Sequence, residues 1–182
     1  FGSLASWLPP GDTAIGRRVG VLRAAGAFVS YDPNVRPDLQ PDLGAARAQV
    51  ERGVAAADLV KASEEDIAYL YPGACVAAVA DTWFGLGAAA VVVTRGGSGA
   101  TAFTAAGEFS RPAPPVEVVD TVGAGDAFTA GLLDALARRG LLARRALPGA
   151  PFAELLDEAA RVAAITCSRA GANPPRAAEL GR

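Results

Sequence analysis

The chain has 182 residues, 51% of them hydrophobic, which supports a folded protein with a sizeable core and excludes a disordered one. Its 17 basic and 19 acidic side chains give a formal net charge of −2, so no basic excess draws it to nucleic acid or to an anionic membrane surface. Histidine is absent, which removes His-based triads, histidine metal sites and histidine proton shuttles, and leaves acid-base chemistry to carboxylates, Lys, Tyr or Cys.

In chain order, PPGDTAIGRRVGVLRAAG (9–26) offers a cap at Asp12 or Thr13 and apolar Ile15, Val19 and Leu22 at helical spacing. AFVSYD is short and apolar and ends in the turn former Asp32-Pro33, which fits a buried strand delivering a loop at its carboxyl end. The helical pattern returns from Leu43 to Ala57, and ADLVKAS is again a short strand. SEEDIAYLYPG opens with Ser63 followed three residues later by Asp66, a capping-box pattern, and stops at Pro72-Gly73. A helix from Cys75 to Leu86 precedes AAAVVVTRGGSGATAFT, in which a Val run enters a glycine turn and leaves along an alternating strand. Short strands near Glu108 and over Val116 to Val119, a helix from Gly123 to Arg139 and another from Pro151 to Arg169 complete the pattern.

This alternation predicts an α/β fold, a mainly parallel sheet flanked by helices on both faces, forming a single domain over residues 1–182. No apolar run approaches the roughly 20 residues that cross a bilayer. Cys75 and Cys167 stand far apart without metal-ligand spacing and read as reduced, buried thiols of a cytoplasmic protein, a disulfide being the lesser alternative.

In open α/β sheets ligands bind beyond the carboxyl ends of the strands, and three unusual loops fall there. In DTVGAGD, Gly123, Ala124 and Gly125 leave successive amides uncovered at a helix N-terminus, an anion hole reinforced by the helix dipole. Asp126 follows where a substrate hydroxyl would meet that anion, placed to accept its proton. The competing reading is an acid that only complements the dipole. Thr94, Arg95, Gly96, Gly97, Ser98 and Gly99 form a second loop, either a ligand-approaching turn or an ordinary hairpin. In the third, Arg36 and Asn34 suit oxyanion or sugar contacts, with a surface arginine after a turn as the competing reading, and the Asp32 side chain suits the shaping of the turn.

DTVGAGDAFTAGLL resembles the C-terminal signature of the PfkB, or ribokinase-like, carbohydrate kinases. YDPNVRP resembles the loop of fructokinases and related sugar kinases, KASEED the family's acidic segment, VVVTRGGSGA its nucleotide loop and CSRAGANPP its closing loop. The resemblance covers nearly all 182 residues of the chain. It implies ATP-dependent phosphorylation of a sugar's primary hydroxyl, with Asp126 as the base, Gly123 to Gly125 as the anion hole, and Thr94 to Gly99 with Gly171 on the nucleotide. It implies ATP and Mg2+ as cofactors with K+ as a further ion, a small sugar as partner, and a homodimer as one assembly of the complete protein. No Walker A sequence is present, so this is not a P-loop pattern.

Two departures matter. The family's Asn-x-x-Glu pattern, connected with magnesium and phosphate, is Ser63 and Asp66 here, so direct magnesium ligation gives way to a water-mediated role or simple capping. Asp120 resembles a monovalent-cation position, with loop capping as the equal alternative. The second departure is that the family's N-terminal sugar-binding motifs and β-sheet lid have no counterpart, and Phe1-Gly2-Ser3-Leu4 resembles an internal strand. The expectation is therefore of the C-terminal portion only, a piece of a longer chain, with its activity by itself left open. The main reading is a fructokinase-like kinase. Its alternatives are a 2-keto-3-deoxygluconate, ribose or nucleoside kinase of the same family, or a catalytically silent nucleotide-binding fragment.

Overall fold

The computed structural model describes residues 1–39 and 42–181. Gln40, Pro41 and Arg182, which the single-domain expectation over 1–182 includes, lie outside the described residues. Helix α1 (Gly11–Ala24) leads to strand β1 (Ser30–Tyr31), α2 (Leu43–Ala55), β2 (Leu59–Ser63), α3 (Glu64–Leu70), α4 (Val76–Leu86) and β3 (Ala90–Thr94). Strands β4 (Ala100–Thr104) and β5 (Gly107–Arg111) follow directly, and the chain ends on α5 (Ala124–Arg138) and α6 (Phe152–Cys167).

The five strands form one sheet in sequence order. β1, β2 and β3 pair in parallel, with Leu59 opposite Ala90 and Ser63 opposite Thr94, whereas β3–β4 and β4–β5 are antiparallel. The expectation of a mainly parallel sheet is therefore corrected to a mixed one in which antiparallel pairing predominates. The physical cause lies in the connections: α2 and the α3–α4 pair supply crossovers long enough to return the chain in parallel, but residues 95–99 and 105–106 are tight turns that can join only antiparallel neighbours.

Side-chain alternation divides the core between the two faces. Val60, Ala62, Val91 and Val93 meet α2, α3 and α4 through Val50, Val54, Ile67, Leu70 and the fully buried Trp83. Leu59, Ala90, Val92, Ala100 and Ala102 meet α5 and α6 through Phe128, Leu132, Phe152, Leu155 and Leu156. Both faces are covered by helices, as the sequence predicts. Gly131 lets α5 approach α6 closely, since a Cβ there would lie 3.1 Å from the Cα of Ala159.

Two local expectations differ. Val116–Val119 forms no strand; the amides of Val119 and Asp120 donate instead to the carbonyl of Cys167, at 2.8 and 3.1 Å, which ties the segment to the end of α6. Cys75 is exposed and Cys167 half-buried, both free thiols. Among the described residues no helix is long and apolar enough to cross a membrane.

Because Leu132 is fully buried while Val21 on α1 is 61% exposed, truncation should separate them. Leu132→Ala is expected to cost about 2–5 kcal/mol through the cavity it leaves, and Val21→Ala within about 0.5 kcal/mol. Urea unfolding of the two variants checks this.

Candidate active site

The parallel strands β1, β2 and β3 end on one side of the sheet, and the turn from β3 into β4 opens on that same side. Asp32 follows β1, Ser63 closes β2 and Thr94 closes β3. The helix start at Ala124 joins them there, as the closeness of Gly125 to Lys61 shows.

Gly123 is the N-cap of α5 and adopts the left-handed conformation, φ 78°. A Cβ there would sit 2.8 Å from that of Ala172, so close approach of the closing loop and backbone conformation both call for glycine. The three amides of the expected anion hole are not equivalent. That of Ala124 donates to the carbonyl of Thr121 at 3.1 Å, whereas those of Gly125 and Asp126 have no protein acceptor among the described residues. The open donors are thus Gly125 and Asp126, at the positive end of a 15-residue helix.

Two cavities flank this turn. One, of 440 Å³, is lined by Thr94, Gly96, Gly97 and Gly99 from the β3–β4 turn, by Val116 and Val118, by Ala124 and Gly125, and by α6 through Ala160 to Cys167. The other, of 350 Å³, is lined by Asp32, Asn34, Asp126 and Thr129 together with Phe1 to Ser3. Consecutive residues, Gly125 and Asp126, therefore face different cavities. A wider groove of 980 Å³ opens at the amino ends of β2 and β3, beside Asp58 and Arg144, and contains none of the sequence-predicted site residues.

The glycine-rich turn is both a hairpin and a cavity wall. Arg95 donates its amide to the carbonyl of Gly99 at 2.8 Å, and its guanidinium reaches Thr101 at 2.5 Å and Glu64 at 3.4 Å. Gly99 has φ 97°, and a Cβ there would lie 2.1 Å from the carbonyl oxygen of Arg111, so packing alone requires that glycine. Gly96 and Gly97 meet nothing within 4 Å and remain open.

In the third loop Asn34 sits at φ 43° and lines the second cavity, whereas Arg36 folds onto its own loop, donating to the carbonyls of Asn34 and Val35 and to the Asn34 side chain. Asp66 is buried and caps α3 reciprocally with Ser63; one of its oxygens accepts the Ser63 amide at 3.0 Å and the other the Val35 amide at 2.8 Å. Asp120 spans in the same way, accepting the amides of Val122 at 3.0 Å and Gly171 at 2.9 Å. These backbone donors hold its carboxyl below the usual carboxylate range. Both carboxylates are thus bonded to backbone amides, and the described residues hold no group of three or more His, Cys, Asp or Glu side chains that could bind a metal ion.

The residue that joins these parts, Lys61, is not among the sequence-predicted site residues. Lys61 is buried on β2 and its ammonium donates to Asp32 at 3.0 Å, with side-chain exposures of 7% and 16%. Asp32 thus does more than shape a turn. Its other oxygen is buried without a partner. Burial pushes the Asp32 carboxyl above its ordinary value, Lys61 draws it back, and the charges of Asp66 and Asp126 add to the rise, which prevails. A lysine inside the apolar run ADLVKAS was the available signal, because an unpaired buried ammonium is not stable.

The match of a family model for pfkB family carbohydrate kinases to residues 4–178 shows that the chain belongs to that family. It is 40% identical over 122 residues to a fructokinase of Rhizobium leguminosarum bv. trifolii, which covers 67% of this chain and 37% of that protein. The structure of aminoimidazole riboside kinase from Salmonella enterica superposes with a TM-score of 0.84 and 29% identity, over 100% of this chain and 60% of that one. Fructokinase from Vibrio cholerae O395, in its fructose, ADP and calcium ion bound form, gives a TM-score of 0.82 and 28% identity over 94% of this chain and 55% of that one. The chain therefore spans less than two thirds of the length of these relatives. The expected likeness to a C-terminal portion only, with N-terminal part and lid missing, is corrected: the family match runs from residue 4 to residue 178, and the Salmonella fold covers the entire chain.

The Asp120 bridge generates a pH prediction. A carboxyl whose folded value is depressed contributes stability above its unfolded value and loses it as pH falls through the folded one. Hydrogen exchange at the Gly171 amide should therefore stay slow through the ordinary carboxylate range and speed up only below it. In Asp120→Ala that protection, judged against the amide's intrinsic exchange rate at each pH, should be lost throughout.

Proposed function

We propose that this chain is the nucleotide-binding and catalytic unit, over residues 1–182, of an ATP-dependent kinase that phosphorylates a primary hydroxyl of a small sugar, with Asp126 as general base. The observation that carries this reading is the division of the turn between two cavities, Gly125 facing one and Asp126 the other. A phosphoryl group bound at the Gly125 and Asp126 amides would stand between a donor on the glycine-turn side and an acceptor hydroxyl on the Asp126 side, the positioning that such transfers depend on.

The nucleotide is assigned to the 440 Å³ cavity, with Thr94 to Gly99 approaching its phosphates and Val116 and Val118 offering apolar surface to its base. Ala124 and Gly123 set the turn, and Gly171 acts through its bond to Asp120. The sugar is assigned to the 350 Å³ cavity beside Asn34, with Arg36 closing the same loop. Magnesium fits this site as a companion of the nucleotide phosphates and not as a protein-held ion; a part for Asp66 would run through water. Asp120 with K+ remains part of the proposal, using lone pairs its backbone donors leave open. A cytoplasmic location and a dimer of the complete protein complete it.

Fructose heads the substrate order because the Rhizobium relative is named a fructokinase, and an aminoimidazole riboside follows from the name of the Salmonella structure. A phosphorylation panel of fructose, ribose, 2-keto-3-deoxygluconate and ribosides on the full-length protein tests it. Turnover of none of them with ATP would sink the kinase reading.

Asp126→Asn in the full-length protein is expected to lower kcat by about 10² to 10⁴, the usual weight of a general base. ATP affinity should hold or rise, because the amide is nearly isosteric and a negative charge near the phosphates is gone. Steady-state kinetics alongside calorimetry separates the two effects, and near-normal kcat would eliminate Asp126 as the base.

A further inference from the structure

Lys61 faces neither cavity, yet it lies against the turn between them. We infer that its ammonium is a fixed positive charge behind the phosphoryl-binding turn, a positioning residue that acts through Gly125 on the anion held by the Gly125 and Asp126 amides; this rests on the kinase reading above.

Three observations carry it. Strand alternation sends Leu59 towards α5 and α6 and Val60 and Ala62 to the opposite face, so Lys61 points towards the start of α5. A Cβ on Gly125 would lie 3.2 Å from Nζ, so only the hydrogens of the glycine separate the ammonium from the turn. Finally, the ammonium has three protons and, among the described residues, a single acceptor, Oδ2 of Asp32 at 3.0 Å. It is held without being saturated.

Other cations of the site are engaged elsewhere. Arg95 is bound to Thr101 and Glu64, and Arg36 to its own loop. The acids whose charges reach this region are Asp32, Asp66 and Asp126, all negative, and a polyphosphate arriving at the turn would add more negative charge. A buried cation is poorly screened by water and salt, so its pull on such an anion survives where that of a surface lysine would fade. Gly125 then serves two purposes: it leaves its amide open to the ligand and gives clearance to the lysine behind it.

The test uses the full-length protein with Lys61→Met and Asp32→Asn combined, which removes both charges at similar volume and leaves no lone buried ion. A thermal melt establishes that it folds. Calorimetry then compares inorganic triphosphate, a non-hydrolysable ATP analogue and adenosine. Triphosphate and the analogue should bind about ten- to a hundredfold more weakly, the weight of a charge-assisted contact, while adenosine is unchanged.

Lys61→Gln, which keeps a donor for Asp32 but no charge, should show the same selective loss. Wild-type triphosphate affinity in either folded variant overturns the proposal, as does equal weakening of adenosine, which would make the pair purely structural. Wild-type protein that binds no triphosphate overturns it as well. Selective loss of triphosphate in a protein that phosphorylates no sugar would sink the kinase reading and leave this one standing.

Discussion

A lysine can stay inside a sheet only if its charge is answered, and the bond from Lys61 to Asp32 is the condition under which this end of the fold exists. Removing either partner alone would strand a buried ion at a cost of about 3–5 kcal/mol. Asp32 is in turn fixed by backbone. Its amide donates to the carbonyl of Phe1 at 3.0 Å, and its own carbonyl accepts from Ser3 at 3.1 Å. One ion pair therefore joins β2, the end of β1, the first residues of the chain and, through contact with Gly125, the start of α5. The loops that line the two cavities are positioned relative to one another by that junction.

The mixed sheet explains how a hairpin contributes to a site that otherwise belongs to parallel strands. Parallel pairing places the ends of β1, β2 and β3 on one side. The reversal into β4 happens on that side, so the glycine turn lies beside loops that arrive by crossover connections. The opposite end is closed by a different device: Asp58 accepts the amide of Val29 at 2.9 Å and meets Arg144 at 3.4 Å, holding β1 and the loop after α5 to the start of β2. Structural charge thus anchors both ends of β2, but the Lys61 end also carries the flexible geometry of glycine.

Helices were the most legible part of the sequence, because a period of 3.6 with punctuation survives tertiary context: α2, α3, α4, α5 and α6 lie within two residues of their expected bounds. Sheet direction was less so. The turn in TRGGSG was visible, but the alternation of strands with helices elsewhere outweighed it, and only the length of each connection decides the pairing. VEVV reads as a strand by composition, yet it joins no strand of the sheet, and the Val119 amide goes to the carbonyl of Cys167. The site was legible where unusual residues are adjacent, as in GAGD, and illegible where two ordinary ones meet across 29 positions, as Asp32 and Lys61 do. Nor does a glycine announce which demand it meets: Gly99 answers to the Arg111 carbonyl, while Gly96 has open space.

Asp66 shows how the departure from the family's Asn-x-x-Glu pattern can be a geometric solution. Its carboxylate bridges two backbone amides that belong to different elements, Ser63 at the start of α3 and Val35 in the DPNVR loop. A short side chain from the third helical position can fold back to the cap, and a reciprocal bond from the Ser63 hydroxyl fixes it there. The loop bearing Asn34 is thereby tied to helix α3 through the Val35 amide. Its left-handed Asn34 and inward-folded Arg36 are held conformations, since backbone that costs energy by itself persists only where its surroundings fix it.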